Sequence, residues 1–259
     1  MKTLFFDIDG TIWDRHNVIP ESTVRAIRQA SANGHKTFIC SGRSRGYITS
    51  RALLDIGFDG IVSACGTMIE FEGREIFSRS IPVDIVEHTI TTVRSFDFRP
   101  ILEGREYIYM EESEFGEDPY GRKLFAELQD RRKPIDSLWG QWDINKLSCA
   151  TDDLDTSECF KILSPYYDFI VHNSRIVEMV PHGFSKGTGL IHACELLGSD
   201  PADSVAFGDS VNDLDMFRAA GISVAMGNGS PEAKECADII TTDMKDDGIE
   251  NALIRLGII

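Results

Sequence analysis

Long apolar runs are missing from this 259-residue chain. No stretch approaches the roughly 18 consecutive apolar residues of a membrane span, and no basic segment leads into a signal-peptide core, so the expectation is a soluble, cytoplasmic protein with no membrane partner. Paired cysteines are also missing: Cys40, Cys65, Cys149, Cys159, Cys194 and Cys236 are scattered and include no Cys-x-x-Cys pair. That spacing fits reduced thiols better than a disulfide framework or a zinc site. Positive charge is the third shortage, with 26 Lys and Arg against 42 Asp and Glu and a formal charge of -16. General affinity for nucleic acid is thereby excluded. A small anionic substrate is not, provided a metal ion or a few placed cations compensate locally. Repeats and low-complexity linkers are also absent, and nothing specifies an oligomeric state. The run Ser185-Lys186-Gly187-Thr188-Gly189 has the ingredients of a Walker phosphate loop in the wrong order.

What is present begins with Leu4-Phe5-Phe6-Asp7-Ile8-Asp9-Gly10-Thr11. An apolar run reads as a buried strand, and in a strand residues i and i+2 share a face, so Asp7 and Asp9 can converge. Two carboxylates that close need a cation or a proton between them. Gly10 frees the backbone to turn, and Thr11 adds a hydroxyl. A helix is expected from Pro20 to about Asn33-Gly34, a strand at 36–40 ending in Ser41-Gly42-Arg43, a helix at 44–55 and a strand at 60–64. Strands alternating with helices at this spacing predict a parallel sheet with right-handed crossovers, whose ligands bind beyond the carboxyl ends of the strands.

After a hairpin at 68–80, Pro82 opens a different pattern. Helices at 83–96, 120–132 and 157–163 are interleaved with strands at 99–103, 106–110, 145–150, 168–172 and 175–180, which predicts a mostly antiparallel sheet covered on one face. Trp139 and Trp142 read as packing residues there. From Ser185 the first pattern resumes: helices at 186–197, 214–220, 231–236 and 248–256, and strands at 204–207, 222–226 and 238–240. The fold class is therefore α/β, a doubly wound parallel-sheet, Rossmann-like core in two pieces (1–81 and 183–259) around an inserted α+β domain (82–182).

Four segments place polar groups at strand ends or helix starts: Asp7-x-Asp9-Gly10-Thr11, Ser41-Gly42-Arg43, Lys186, and Gly208-Asp209-Ser210-Val211-Asn212-Asp213. Taken singly, each has a plain reading as a turn, a cap or a solvated lysine. Taken together, four carboxylates in one crevice call for a hard divalent cation. Mg²⁺ suits, because it takes oxygen ligands and binds through one or two carboxylates and a substrate phosphate. Lys186 would add a point charge, and Ser41 with backbone amides would donate to phosphate oxygens.

On these motifs the chain resembles the haloacid dehalogenase (HAD) superfamily, Cof-type branch, with the large α+β cap called C2B. Asp7-Ile8-Asp9-Gly10-Thr11 matches motif one, Ser41-Gly42-Arg43 motif two, Lys186 motif three, and Gly208 to Asp213 motif four. The resemblance implies a Mg²⁺-dependent phosphatase of small phosphorylated metabolites, with sugar phosphates the expected class. It implies Asp7 as the nucleophile forming an aspartyl phosphate, Asp9 as general acid and base, and Lys186 as the neutralising cation. Ser41, Gly42 and Asn212 would bind phosphate oxygens. Asp7, the backbone carbonyl of Asp9, Asp209 and, directly or through water, Asp213 would hold the metal. Glu178, His182 and Arg175 are expected to contribute to substrate choice. The same core would also serve a phosphotransferase or phosphomutase, and a phospho-accepting receiver is the reading from another class. One departure stands out: Ala64-Cys65-Gly66-Thr67 replaces the Asn-Gly-Ala of many relatives. Cys65 cannot reproduce an amide's paired donor and acceptor, so the contact made there does not carry over.

Overall fold

A strand that is apolar on both faces belongs in the interior of a sheet covered by helices on each side. Leu4, Phe5 and Phe6 are fully buried, and their strand, Thr3–Phe6, lies inside an eight-stranded sheet. The computed structural model describes residues 1–116, 118–173 and 175–259. Across the sheet the order is Ile239–Ile240, Ile222–Ala225, Ser204–Gly208, Thr3–Phe6, Lys36–Cys40, Gly60–Ser63, Met68–Phe71 and Arg74–Ser78. The strands as far as Gly60–Ser63 run parallel, and the last two are antiparallel additions. Phe5 packs on one face with Phe38, Leu190, Ala206 and Met216. Phe6 stacks on Phe207 with ring centroids 4.7 Å apart. Leu4 pairs with Val205 on one side and Thr37 on the other, so the two halves of the chain meet at the first strand. Among the described residues no helix is long and apolar enough to cross a membrane.

The chain divides into two compact units, one of Met1–Gly42, Thr49–Ser78 and Phe184–Ile259, the other of Arg43–Ile48 and Arg79–Gly183. Backbone and side-chain bonds tie 79–81 to the second unit: the Ile81 amide donates to the Ile144 carbonyl at 2.9 Å, and Asn145 to the Arg79 carbonyl at 3.0 Å. The second unit has its own six-stranded sheet, in the order Tyr167–Asn173, Ile176–Pro181, Ile144–Ala150, Arg99–Gly104, Ile108–Tyr109 and Arg132–Lys133. All of its pairings are antiparallel except the last.

Two expectations need correction. The helix expected at 44–55 is a single turn of 3-10 helix, Arg45–Tyr47, followed by a one-turn helix, Arg51–Leu54, whose Ser50 cap accepts from the Leu53 amide. A Cβ on Gly46 would come within 2.8 Å of the Gly104 carbonyl, so the segment is shaped by its fit to the second sheet rather than by helical propensity. That sheet is also covered on more than one face. Leu102 and Cys149 join the cluster with Val86, Ile90 and Leu163, while their strand neighbours Ile101 and Ala150 point the other way, into a cluster with Phe115, Leu124 and Leu128. Trp142 is buried and donates to the Ile135 carbonyl at 3.3 Å, whereas Trp139 is 41% exposed with its edge against Trp142.

Candidate active site

The first unit gathers carboxylates at the carboxyl ends of two adjacent strands, Thr3–Phe6 and Ser204–Gly208. The strands pair Phe6 with Phe207, and the Asp7 amide donates to the Phe207 carbonyl at 2.9 Å, so Asp7 and Asp209 leave the sheet side by side. Behind Asp7 the chain turns at Gly10, whose φ is +84°. A Cβ at Gly10 would overlap the Asp209 carboxylate, so this position needs glycine for space as well as for conformation. Asn228 braces the turn: its Nδ2 donates to the Gly10 carbonyl at 2.7 Å and its Oδ1 accepts from the Met244 amide at 3.0 Å.

Lys186 arrives on the helix Lys186–Leu196, which Ser185 starts with a capping box to Thr188. Gly189 and Gly66 lie so close that a Cβ on either would come within 2.7 Å of the other's Cα, which lets the helix press onto the turn after Gly60–Ser63. Lys186 Nζ then donates to Asp7 Oδ1 at 2.6 Å, Asp213 Oδ1 at 2.7 Å and Asn212 Oδ1 at 3.2 Å. Lys186, Asp7 and Asp213 are 2%, 4% and 0% exposed. The other oxygen of Asp213 accepts from the Asp209 and Ser210 amides at 2.9 and 3.1 Å.

Burial sets the electrostatics here. It pushes the Asp7 carboxyl well above the ordinary carboxylate value; Asp213 and Asp209 add to the rise, and Lys186 opposes it. Burial would lower Lys186, but Asp213 and Asp7 outweigh it and hold the ammonium protonated. Asp209 is pushed up to about 7, by burial first and then by Asp213. Asp7, Asp209 and Asp213 each offer a carboxylate oxygen within 4.8 Å of the others. Asp209 Oδ1 is buried with no hydrogen-bond partner. Three carboxylates against one ammonium leave a formal charge of two negatives, and the donors are all hard oxygens. The residues therefore fit a divalent cation of the Mg²⁺ type.

The structure brings together Asp7, Lys186, Asp209, Asn212 and Asp213. Ser41 and Gly42 follow the adjacent parallel strand, where Phe6 pairs with Ile39, and Ser41 is buried with its amide donating to the Val62 carbonyl at 2.9 Å. Asp9 is exposed, outside the carboxylate cluster, and accepts from the Trp13 indole. Cys65 is buried at φ +55°, and its amide donates to the Ser41 carbonyl at 3.1 Å. Asparagine tolerates that left-handed region better than most residues, so the turn persists here with a less suited side chain.

In the second unit, Arg175 forms a surface pair with Asp153 at 3.1 Å, and His182 Nε2 donates to the Ser164 carbonyl at 2.8 Å. Arg175 lines one cavity of this unit, of about 300 Å³, with Arg99 and Asp118, but neither Arg175 nor His182 lines another of about 110 Å³. Glu178 does, together with Arg43, Tyr47, Glu103, Lys146 and Ser148. Lys146 is 2% exposed and bonds Glu178 at 2.7 Å and Glu103 at 3.2 Å, while Ser148 donates to Glu103 at 2.5 Å. Sequence reasoning missed Lys146, Glu103, Asn228 and Trp13. For Asn228 a signal existed in its place between Gly227 and Gly229, beyond a parallel strand.

Residues 4–253 match the family described as haloacid dehalogenase-like hydrolase. The chain belongs to that family. It is 31% identical over 266 residues to the Bacillus subtilis (strain 168) protein named "Putative phosphatase YkrA", covering 100% of this chain and 98% of the relative. To the 5-amino-6-(5-phospho-D-ribitylamino)uracil phosphatase YwtE of the same strain it is 27% identical over 282 residues, covering 96% of each. Among solved structures, the HAD subclass IIB sugar phosphatase BT4131 matches with a TM-score of 0.83 at 25% identity, over 100% of both chains. This HAD protein is therefore an enzyme, a hydrolase of phosphate esters, with the α/β fold of the Cof-type members. HAD hydrolases generally use Mg²⁺, and the cluster of Asp7, Asp209 and Asp213 could bind a metal ion.

Proposed function

We propose that this protein is a Mg²⁺-dependent phosphatase of small phosphorylated metabolites, sugar phosphates foremost, that works through an aspartyl phosphate on Asp7. The observation that carries the reading is the buried Asp7 held 2.6 Å from the Lys186 ammonium and grouped with Asp209 and Asp213. In the first step an Asp7 oxygen bonds to phosphorus as the ester bond breaks, and Asp9 gives a proton to the departing alcohol oxygen. In the second, water bonds to phosphorus, Asp9 takes the water's proton, and the Asp7–phosphorus linkage breaks to release phosphate. Lys186 opposes protonation of Asp7 and offsets charge on the phosphoryl oxygens, while Ser41, the Gly42 amide and Asn212 orient them. Mg²⁺, held by Asp7, Asp209 and the Asp9 carbonyl, would neutralise the carboxylates and polarise the phosphoryl group. Asp213, whose oxygens already accept from Lys186 and two amides, fits a positioning role or a water-mediated one.

The second unit would select the organic part. Glu103, Glu178, Lys146 and Ser148, in a cavity they line together with Ile101, Ile108, Leu124 and Ile176, offer the acceptors and donors that hydroxyl groups require. A screen of phosphate esters with Mg²⁺ tests the whole reading, with sugar phosphates expected to release stoichiometric inorganic phosphate. Transfer of the phosphoryl group to a second sugar, with little free phosphate, would instead mark a mutase.

The metal site has a test that needs no turnover. Asp7 and Asp209 have folded-state pKa values raised above their unfolded ones, so the metal-free fold takes up protons that the unfolded chain releases. Their contribution is fully present below the unfolded carboxylate range and is lost as pH rises through the folded values. In chelator, the melting temperature is expected to fall by several degrees between about pH 5 and about pH 8, and Mg²⁺ at the upper pH to restore it. A melting temperature at about pH 8 that Mg²⁺ leaves unmoved would count against the site.

A further inference from the structure

We propose that Trp13 is a positioning residue for Asp9: its indole N–H fixes one carboxylate oxygen, Oδ1, so that the proton exchanged with the leaving alcohol travels on Oδ2. The proposal rests on the phosphatase reading above. Trp13 is 4% exposed and its Nε1 donates to Asp9 Oδ1 at 2.9 Å, whereas Asp9 itself is exposed. A carboxylate on an exposed turn samples several rotamers unless something holds it, and productive proton transfer depends on orientation.

The loop is built to bring the ring back. The Ile8 carbonyl accepts from the Ile12 and Trp13 amides at 3.0 and 3.2 Å, and the Gly10 amide donates to the Trp13 carbonyl at 2.9 Å. Asp9 and Trp13 also form an isolated bridge. Five residues thus wind into a closed turn in which Gly10 supplies the positive φ and Trp13 the buried anchor.

A buried indole must donate to something, and the plain alternative is that Asp9 is merely a convenient acceptor. Trp142 shows that alternative within the same molecule, since its N–H satisfies itself on the Ile135 backbone carbonyl. What distinguishes Trp13 is that its partner is the side chain assigned to proton transfer. Indole is a donor only, so it can hold the carboxylate without competing for the transferred proton. In the first step the proton leaves Oδ2 for the ester oxygen as the phosphorus–oxygen bond to the alcohol breaks and that to Asp7 forms. In the second, the same oxygen takes the proton of the attacking water.

The test is Trp13→Phe, which keeps an aromatic ring and removes the N–H, assayed with Mg²⁺ on phenyl phosphate and 4-nitrophenyl phosphate. The two esters are close in shape, but the nitrophenolate leaves with little need of a proton. Because kcat/KM reports only steps through departure of the leaving group, its value for phenyl phosphate is expected to fall about ten-fold and for the nitrophenyl ester less than about three-fold. The ratio of the two does not depend on the fraction of folded enzyme. An unchanged ratio, whatever the absolute rates, overturns the proposal. Release of no phosphate by the wild type from these two esters or from any ester of the screen, or an Asp9→Asn variant as active as wild type, overturns the phosphatase reading itself and the proposal with it.

Discussion

Asp7→Asn is expected to lower turnover of any phosphate ester by on the order of 10⁴-fold or more, the scale seen when a covalent nucleophile is removed, while leaving the metal-free protein at least as stable as wild type. The second half of that prediction makes the first interpretable. The amide oxygen of the substituted side chain can still accept from Lys186 where Asp7 Oδ1 accepts now at 2.6 Å, and the backbone bond from this position to the Phe207 carbonyl is untouched. The substitution also removes a charge that burial, Asp213 and Asp209 all disfavour. Melting in chelator and phosphate release with Mg²⁺ should therefore move independently. Turnover that survived Asp7→Asn would end the case for an aspartyl phosphate, and a collapse in melting temperature would mean that Asp7 is a structural anchor.

How much of this was legible beforehand follows from how local each feature is. The strand Thr3–Phe6 is apolar at every position but its first, and the acids that follow it could be placed at a strand end without knowing any neighbour. Lys186 and the Asp209–Asp213 turn were found the same way, from an element boundary and the residues on it. Features that depend on pairing across the chain were not legible. Lys146 is an ordinary lysine in the sequence; it becomes a buried cation because the sheet register sets it opposite Glu103, and Glu178 opposite Ser148 on the other flank. The segment 44–55 reads as a helix locally and fails to be one because Gly46 lies against the backbone of Gly104. The Trp13 bond to Asp9 spans only four residues, yet in a turn outside any helix or strand no periodicity points one side chain at the other.

Lys186→Met is the substitution expected to damage both stability and activity. Methionine keeps the length and apolar body of the side chain, so the packing of the helix Lys186–Leu196 on the Gly66 turn should survive. The ammonium is what is lost. With it the cluster carries two net negative charges, which one divalent cation cancels; without it three carboxylates face one another, two of them within 4% of full burial. Removing one member of a buried ion pair costs about 3–5 kcal/mol, because the partner's desolvation is no longer compensated. Here two partners, Asp7 and Asp213, lose their counter-charge together. Part of that cost can be relieved by protonating the acids, and loss of Lys186 raises their folded-state affinity for protons further. The destabilisation should accordingly be small near pH 5 and largest near pH 8 in urea titrations of metal-free protein, and Mg²⁺ should recover only part of it. Turnover should fall by about 10²–10³-fold, the scale of losing one preorganised electrostatic group, with the phosphoryl oxygens deprived of their one fixed cation from this helix. A Lys186→Met protein as stable as wild type near pH 8 would show that the carboxylates are already neutral there, and would remove the charge balance from which a divalent cation was inferred.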